Sequence, residues 1–539
     1  MSLNLVCGFI KLRNGILRGG NLYRVLRNME EYCDEIFVVD DASYDGSYEY
    51  LQKHILLPEE RIIRVPQTEH DFASELHWKQ QLLEKIHTAG PYEYIMWMDD
   101  DEVLDAKGTS ELRDFCRAYL DSKIESWAFH YTQIWRNGSW ARTDDGFDDG
   151  WFYKLWRYSP NLSFEVQNGT HKAQFPRQIH RAIATGQVAR APFEIIHYGN
   201  AGVNLRMKCI QYYGGLGGVD RHLHFENAGF RPVPKALFPV GAEIVEGPSP
   251  APFTPEQCDR ILSLTNMQKL KDTFCVIVPS YNRAATLPRA LDSLIGQTYE
   301  KWICFVLDDG STDDTEEVVN KYVEADPRIF YLKYHTNSGG VAMNEIGMNI
   351  AVNTAEYWTR LGSDDWFLTN KLELDVKAFE QHSATFGPFT VHRNGVFSEL
   401  GNLPCPSEII LNGFLKQGFY ASWANCAVRS SVLAAVKEKF GNYCDPQLQN
   451  MEDRLFNFRV ATLTEWVWRG MYEDELIINP SMIQCQALCR TPEDVAKLAA
   501  DGVWNVNQVG ASASIDVYNA DSSITTRIIE KEKSLNGGL

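Results

Sequence analysis

Short apolar runs alternate with stretches of helical spacing along this chain, and the alternation occurs twice. Phe274 to Val278 is an apolar, largely β-branched run of the kind that forms a buried parallel strand. Pro279 and Asn282 break it, and Leu287, Leu291, Leu294 and Ile295 then recur at helical spacing. Trp302 to Leu307 predicts a second buried strand, which runs into Asp308, Asp309, Gly310 and Ser311. Strand, helix, strand predicts a parallel α/β unit with an acidic pair at the carboxyl edge of its sheet, where ligands bind in such folds. The start of the chain follows the same order. Leu5 to Ile10 reads as strand, Lys11 to Gly15 as a break, and Leu22, Val25, Leu26 and Met29 as a helix face. Ile36 to Val39 is the next strand, ending in Asp40 and Asp41. Cys7 and Cys275, Asn14 and Asn282, and Asp41 and Asp309 are all 268 positions apart. One offset shared by two motifs and the gap between them predicts two copies of a domain rather than a solenoid.

Each copy continues to a further strand that ends in acids. In the first, Ile95 to Met98 leads into Asp99, Asp100, Asp101 and Glu102. In the second, Arg328 to Tyr334 reads as strand and the stretch after Asn337-Ser338-Gly339-Gly340 as helix. Glu356 to Leu361 then leads into Gly362, Ser363, Asp364, Asp365 and Trp366. Prolines at 232, 234, 239, 248, 250, 252 and 255 mark a linker or wrapped connection, in which Thr254-Pro255-Glu256-Gln257 can start a short helix. The expected organisation is a first domain over 1–231, a Pro-rich linker over 232–271, a second domain over 272–485 and an extension over 486–539. The extension opens with a capped helix at Thr491-Pro492-Glu493-Asp494 and is expected to pack on the second copy or fray.

At 539 residues the chain is long enough for two or three domains, each with its own core. A hydrophobic share of 44% is ordinary for a globular protein in water. The formal net charge of -19 argues against coating nucleic acid or anionic lipid by bulk attraction. No apolar run reaches the length of a membrane span, and MSLNLVCGFIK enters a strand without the layout of a signal peptide. The 12 cysteines include no CxxC pair, and Cys7, Cys275 and Cys304 lie inside apolar strands. This points to free thiols in a reducing, cytoplasmic setting without structural zinc. Cys485 and Cys489 have no partner pair, and the HxH of His222 and His224 has no further support as a metal site.

Val278-Pro279-Ser280-Tyr281-Asn282-Arg283, followed by Leu307-Asp308-Asp309-Gly310-Ser311-Thr312-Asp313, resembles the opening of a family 2 glycosyltransferase. A polar turn after a strand would account for the second motif but not for the first. The resemblance implies two tandem GT-A domains, the Rossmann-like α/β fold of nucleotide-diphospho-sugar transferases, with mostly parallel sheets flanked by helices. It implies that Pro279, Tyr281, Arg283 and Asp309, with Arg13 and Asp41 in the first copy, hold the nucleoside diphosphate. Asp99 and Asp101 stand where the family carries its DxD motif, with Asp101 expected before Asp99 as the direct ligand, and His197 resembles the late histidine that completes the metal shell. A departing diphosphate concentrates charge, so a hard divalent cation, manganese or magnesium, is expected to bridge it to carboxylates. Neutral imidazole suits manganese. In the second copy Gly362 replaces the first acid of the motif, leaving Asp364 and Asp365 to meet ribose and metal. The arginine usual in the Gly-rich segment is missing, with Asn344 and Glu345 nearby instead. The plainer readings are that an acidic cluster is a solvated loop and a lone histidine structural.

Asn450-Met451-Glu452-Asp453-Arg454 matches the family's ED motif, which implies Asp453 as the base that takes the acceptor's proton, with Glu452 assisting. Acids also favour any helix start. In the first copy Asp144, Asp145, Asp148, Asp149 and His171 are all candidates for a base. Trp135, Trp140, Trp151, Phe152, Tyr153 and Trp156 either line a sugar or base site or fill the core. Gly418 to Asn425 resembles the loop before the acceptor site. The implied activity is a metal-dependent, inverting transfer of sugar from a nucleoside-diphosphate sugar, a UDP-sugar first among them, to an acceptor hydroxyl. Two active copies would add two sugars in sequence. Alternatively one copy catalyses and the other shapes acceptor binding, or the chain is a non-catalytic nucleotide-sugar scaffold. The expected acceptor is a glycan, glycolipid or protein. A modified nucleic-acid base is a rarer option, suggested by the mildly basic run His171, Lys172, Arg177, His180, Arg181 and Arg190.

Overall fold

Strand β1 (Asn4–Leu12) lies at the centre of the first sheet because its apolar run suits burial on both faces. It pairs in parallel with β2 (Glu35–Asp40), which has β3 (Ile62–Arg64) beyond it, and on its other side with β4 (Tyr92–Asp99). Helices α1 (Leu22–Glu30), α2 (Ser47–His54) and α3 (Glu75–Ala89) make the crossovers that parallel pairing requires. The chain then runs through β5 (Glu102–Leu104), α4 (Ala106–Ala118), β6 (Ser126–Arg136), β7 (Trp140–Arg142) and β8 (Trp151–Arg157). It ends this unit with α5 (Arg177–Ala184), β9 (Val188–Ala201) and β10 (Phe230–Pro232). The strand order is β10-β7-β6-β8-β4-β1-β2-β3, with β9 parallel to β6 and antiparallel to β5.

The structure, a computed structural model, describes residues 4–17, 21–54, 57–66, 75–136, 140–142, 150–164, 175–201, 230–239, 269–387, 389–393, 396–401, 426–445, 452–469, 476–478 and 534. Thr254 to Gln257, Asp144 to Asp149, His171, Lys172, His222, His224, Gly418 to Asn425, Cys485, Cys489 and the segment opening at Thr491 lie outside the described residues. The chain divides into two compact units, Met1–Met267 and Gln268–Leu539. The first prolines of the Pro-rich segment belong to the first unit, since Phe230–Pro232 pairs with β7.

The second unit rebuilds the same beginning. Strand β11 (Leu270–Ser280), α6 (Leu287–Ile295), β12 (Trp302–Asp308), α7 (Thr315–Ala325) and β13 (Ile329–Lys333) form its parallel half. Helix α8 (Gly340–Thr354) then leads to β14 (Ala355–Arg360), parallel to β11. The chain continues with α9 (Lys371–Phe379), β15 (Ala384–Phe386) and a separate hairpin of β16 (Phe389–Arg393) and β17 (Val396–Gly401). It closes with β18 (Cys426–Arg429), α10 (Ser430–Phe440), α11 (Glu452–Ala461), β19 (Trp466–Arg469) and β20 (Leu476–Ile478). The sheet order is β13-β12-β11-β14-β18-β15-β19-β20. Each unit is thus an α/β sheet flanked by helices. It is parallel over its leading strands and turns antiparallel where β8 meets β4 and β18 meets β14.

In the first unit Leu82, Leu83 and Ile86 of α3 pack on Cys7, Phe9, Phe37, Val39, Ile95 and Trp97. Each fully buried aliphatic side chain of this kind is worth roughly 1.5–3 kcal/mol. Trp156 is fully buried in that core, whereas Trp151, Phe152 and Tyr153 are half-buried, so the aromatic stretch serves both core and surface. In the second unit Tyr357 packs against Phe274 and Phe379, and Phe305 stacks on Phe330 at 5.1 Å. The antiparallel halves share a device that sequence reading missed. Arg157 caps the carbonyls of Tyr119, Ser122 and Ile124 and lies over Tyr94, while Arg429 caps Phe379 and His382 and lies over Tyr357. The described cysteines, Cys7, Cys33, Cys116, Cys275, Cys304, Cys426 and Cys444, are all free thiols. Among the described residues no helix is long and apolar enough to cross a membrane.

Candidate active site at the carboxyl edge of the sheets

Both units leave the central strand through an asparagine in the left-handed region, Asn14 at φ 51° and Asn282 at φ 53°. Asparagine tolerates this backbone because its short side chain bonds locally. Oδ1 of Asn14 accepts from the Tyr44 amide at 3.0 Å, and Oδ1 of Asn282 from the Thr312 amide at 2.8 Å. The two asparagine amides donate to Ser43 Oγ and Ser311 Oγ, each at 2.8 Å. The Asp41 amide donates to the Leu12 carbonyl, and the Asp309 amide to that of Ser280. The repeat therefore places Asp41 and Asp309 at the same point of each rim.

In the second unit the Asp309 carboxylate accepts the Ser338 amide at 2.6 Å and the Gly339 amide at 2.8 Å, which ties the rim to the start of α8. Pro279 pairs with Leu307 at the end of β11, and Tyr281 beyond it is 45% exposed. Arg283 lies 3.6 Å from Asp364, both side chains being about half exposed. Arg289 donates to the Asp364 carbonyl at 2.6 Å and stacks over Trp366. Asp365 closes a turn onto the Gly362 carbonyl at 3.0 Å, and a Cβ at position 362 would come within 2.3 Å of Asp365 Oδ2. Arg360 of β14 donates to Asn344 of α8 at 3.2 Å, and Glu345 instead binds Lys437 and the Cys444 amide.

Glu452 and Asp453 occupy the first turn of α11, where carboxylates meet the positive end of the helix dipole. The Cys426 thiol is pushed up to about 12, chiefly by burial. The buried pair of Lys371 and Asp375 acts on it next, in opposite directions, and Arg360 and Asp453 act on it less. Oε2 of Glu452 is buried without a hydrogen-bond partner among the described residues.

The first rim is wired differently. Asp41 pairs with Lys11 at 2.9 Å, and Arg13 is half-buried just past the strand end. Lys154 of β8 lies 3.0 Å from Asp99 and 2.8 Å from Glu102, with its side chain 3% exposed. Glu102 also accepts the Tyr131 hydroxyl and the Asp99 amide. Burial, then the Asp99 charge, pushes Glu102 up to about 7. Burial opposes the Lys154 ammonium, but Asp99 and Glu102 together hold it above its ordinary value. His197 of β9 faces Asp101 at 3.3 Å and shares its other ring nitrogen with Gln133. The structure therefore brings Asp101 to His197, and gives Asp99 to a lysine that sequence reading passed over. A signal existed: Lys154 is the one cation inside the strand sequence WFYKLW, where an unpaired charge would be costly.

Among the described residues no three His, Cys, Asp or Glu side chains are arranged to hold a metal by themselves. Asp364 and Asp365 are adjacent, hard, exposed carboxylates that suit a divalent cation sharing its remaining positions with phosphate oxygens. Asp99 is also partly exposed, at 42%, but a buried ammonium lies against it.

Residues 275–436, within the second unit, match the family model of glycosyl transferase family 2. An uncharacterized glycosyltransferase of Mycoplasma pneumoniae is 36% identical over 121 residues, which is 22% of this chain and 38% of that protein. The Escherichia coli UDP-Glc:alpha-D-GlcNAc-diphosphoundecaprenol beta-1,3-glucosyltransferase WfgD is 29% identical over 143 residues, 26% of this chain and 54% of that protein. The chain thus spans between about two fifths and a little over half of these two relatives. Among solved structures, residues 1–349 of S. aureus TarS align with a TM-score of 0.31 at 21% identity, over 46% of this chain and 66% of that one.

Proposed function

We propose that the second unit transfers a sugar from a nucleoside-diphosphate sugar to an acceptor hydroxyl, with inversion at the anomeric carbon. The observation that carries this reading is the family match over 275–436, laid on a sheet edge that carries Asp309 just past β12 and the Arg283–Asp364 pair at 3.6 Å. Asp309, Pro279 and Tyr281 would hold the nucleoside, with Arg283 on the diphosphate side. Asp364 and Asp365 would hold a manganese or magnesium ion, which when bound supplies positive charge to the departing diphosphate. Asp453 would take the proton of the acceptor hydroxyl as its oxygen bonds to the anomeric carbon. The bond from that carbon to the phosphate oxygen breaks, and the diphosphate leaves with the electron pair. Glu452 would hold Asp453 in position. A UDP-sugar as donor and a saccharide or lipid-linked saccharide as acceptor are supported by the name of the E. coli relative. The domain limits are read as the two packed units, with the first prolines counted to the first.

The test is a panel of nucleotide sugars screened, with manganese, for a rise in melting temperature of the whole chain. A ligand that binds only the folded state must raise it. One nucleotide is expected to stabilise the chain, and Asp309→Ala to abolish the shift. Asp453→Asn is expected to keep the shift and lose transfer. If no nucleotide sugar stabilises the chain, the proposal fails. If binding survives while both Asp453→Asn and the unaltered chain lack turnover, the unit is a scaffold.

A further inference from the structure

The two rims carry acids at corresponding positions, yet their counter-charges differ in kind. Register makes the correspondence explicit. Gly8 pairs with Met96 in the first sheet and Val276 with Thr359 in the second, and these partners are the repeat's equivalents. Counting on from them, Asp99 answers Gly362 and Asp101 answers Asp364. On the neighbouring antiparallel strand Met96 pairs with Leu155 and Thr359 with Ala427. One residue earlier on those strands stand Lys154 and Cys426. At that strand position the first unit has a lysine and the second a cysteine, whose carbonyl lies 3.5 Å from the buried Lys371, itself paired with Asp375.

We propose that Lys154 is a built-in cation that closes the first rim to divalent ions, so that the chain binds metal with nucleotide at the second unit alone. This rests on the transferase reading of the second unit, and it selects among the arrangements that two like domains allow. Four observations support it. Lys154 Nζ lies within 3.0 Å of both Asp99 and Glu102. Its side chain is 3% exposed, so it cannot swing into water when another cation arrives. The rings of Trp97 and Tyr131 flank it, with centroids 4.3 and 5.7 Å from Nζ, and hold the ammonium by their π faces. Glu102, its second carboxylate, is fixed by the Tyr131 hydroxyl and the Asp99 amide. A divalent ion on Asp99 would have to sit at roughly 2.0–2.6 Å from that carboxylate. It would then face a fixed like charge only a few ångströms away, and an ion held by Asp101 and His197 would find Asp99 already taken by that ammonium. Asp364 has the opposite situation. Its neighbour Arg283 is 3.6 Å away on an exposed side chain, free to turn to a phosphate.

The experiment counts bound manganese on the full chain by the loss of the free-ion electron paramagnetic resonance signal, with saturating UDP present. The unaltered chain is expected to bind one ion. Asp364→Asn with Asp365→Asn should remove it, and Asp99→Asn with Asp101→Asn should leave it. An ion that persists in the first pair and vanishes in the second would overturn the inference, as would two ions on the unaltered chain. No ion on the unaltered chain would defeat the metal site of the second unit and leave the first rim closed, as inferred. Lys154→Met, folded by circular dichroism, should gain one ion that is lost again on adding Asp99→Asn and Asp101→Asn. A folded Lys154→Met without that gain would overturn the role given to the lysine. Should Lys154→Met not fold, the paired carboxylate variants decide the matter alone.

Discussion

Asp40 and Asp308 end the second strand of the two units at the same point of the repeat, yet they live in different surroundings. Asp308 accepts the Tyr331 hydroxyl from the neighbouring strand and the Ser311 amide at 2.8 Å. Asp40 is equally buried, and its closest cation among the described residues is Arg64 at 3.9 Å. Burial accordingly pushes Asp40 up to about 7. The same contrast recurs at Asp41, which takes a lysine side chain where Asp309 takes two backbone amides, and at the acidic rim, where Lys154 has Cys426 as its counterpart. A duplicated backbone has kept its turns while the charges on it were neutralised by different means. In the first unit the neutralising groups are side chains of the unit itself. In the second, part of the charge, on Asp364 and Asp365, stays exposed.

The largest effect that would break this comparison is catalytic. Asp453→Asn should lower the turnover of the second unit by about 10²–10⁴-fold, the usual range for a general base, with donor affinity preserved. Turnover assays alongside nucleotide titration would show it, and a parallel fall in affinity would count against the role. Next comes Lys154→Met, which leaves Glu102 buried without its cation and should destabilise the first unit by ~3–5 kcal/mol. Arg283→Met at the exposed pair of the second unit should cost under ~1 kcal/mol. Urea denaturation of the two variants gives the ratio directly, and equal losses would erase the distinction.

The third effect depends on pH. The Asp40 carboxyl binds its proton more tightly folded than unfolded, where its value is near 4. Its contribution is therefore complete below pH 4 and is lost as pH rises through about 7, by at most ~4 kcal/mol. Asp40→Asn should flatten the melting temperature of the first unit between pH 4 and pH 7, and an unchanged slope would assign the dependence elsewhere. The smallest effect concerns one turn. Ala42 holds φ 58° where its counterpart Gly310 holds φ 81°. A Cβ on Gly310 would meet three backbone atoms at 3.2 Å. Gly310→Ala should therefore cost ~1–2 kcal/mol, whereas Ala42→Gly should gain about 0.5–1 kcal/mol once glycine's own entropy is counted. Calorimetry of both variants would sharpen the comparison by showing whether the first copy carries strain that the second has shed.

Much of the fold was legible beforehand because it is written in local periodicity. The apolar runs at Leu5, Ile36, Ile95, Phe274, Trp302 and Glu356 all became strands, and the spacing of Leu22 to Met29 became a helix. The antiparallel half was harder to read, since short strands such as Ala384–Phe386 carry too few residues to show a period. The aromatic stretch stayed ambiguous for a related reason. Spacing two residues apart puts side chains on one face of a strand but does not say which face is covered. Trp156 went to the core, and Tyr153 only partly so.

By itself the sequence determined the duplication, the α/β order of each leading half, and the acids at the strand ends. These follow from residues close together in the chain, where periodicity and turn chemistry act. Only the tertiary structure decided which cation each acid meets. Lys154 reaches Asp99 across 55 positions of sequence, and Arg360 reaches Asn344 because a strand is laid beside a helix. Coulomb attraction depends on distance in space and on exclusion of water, and packing sets both.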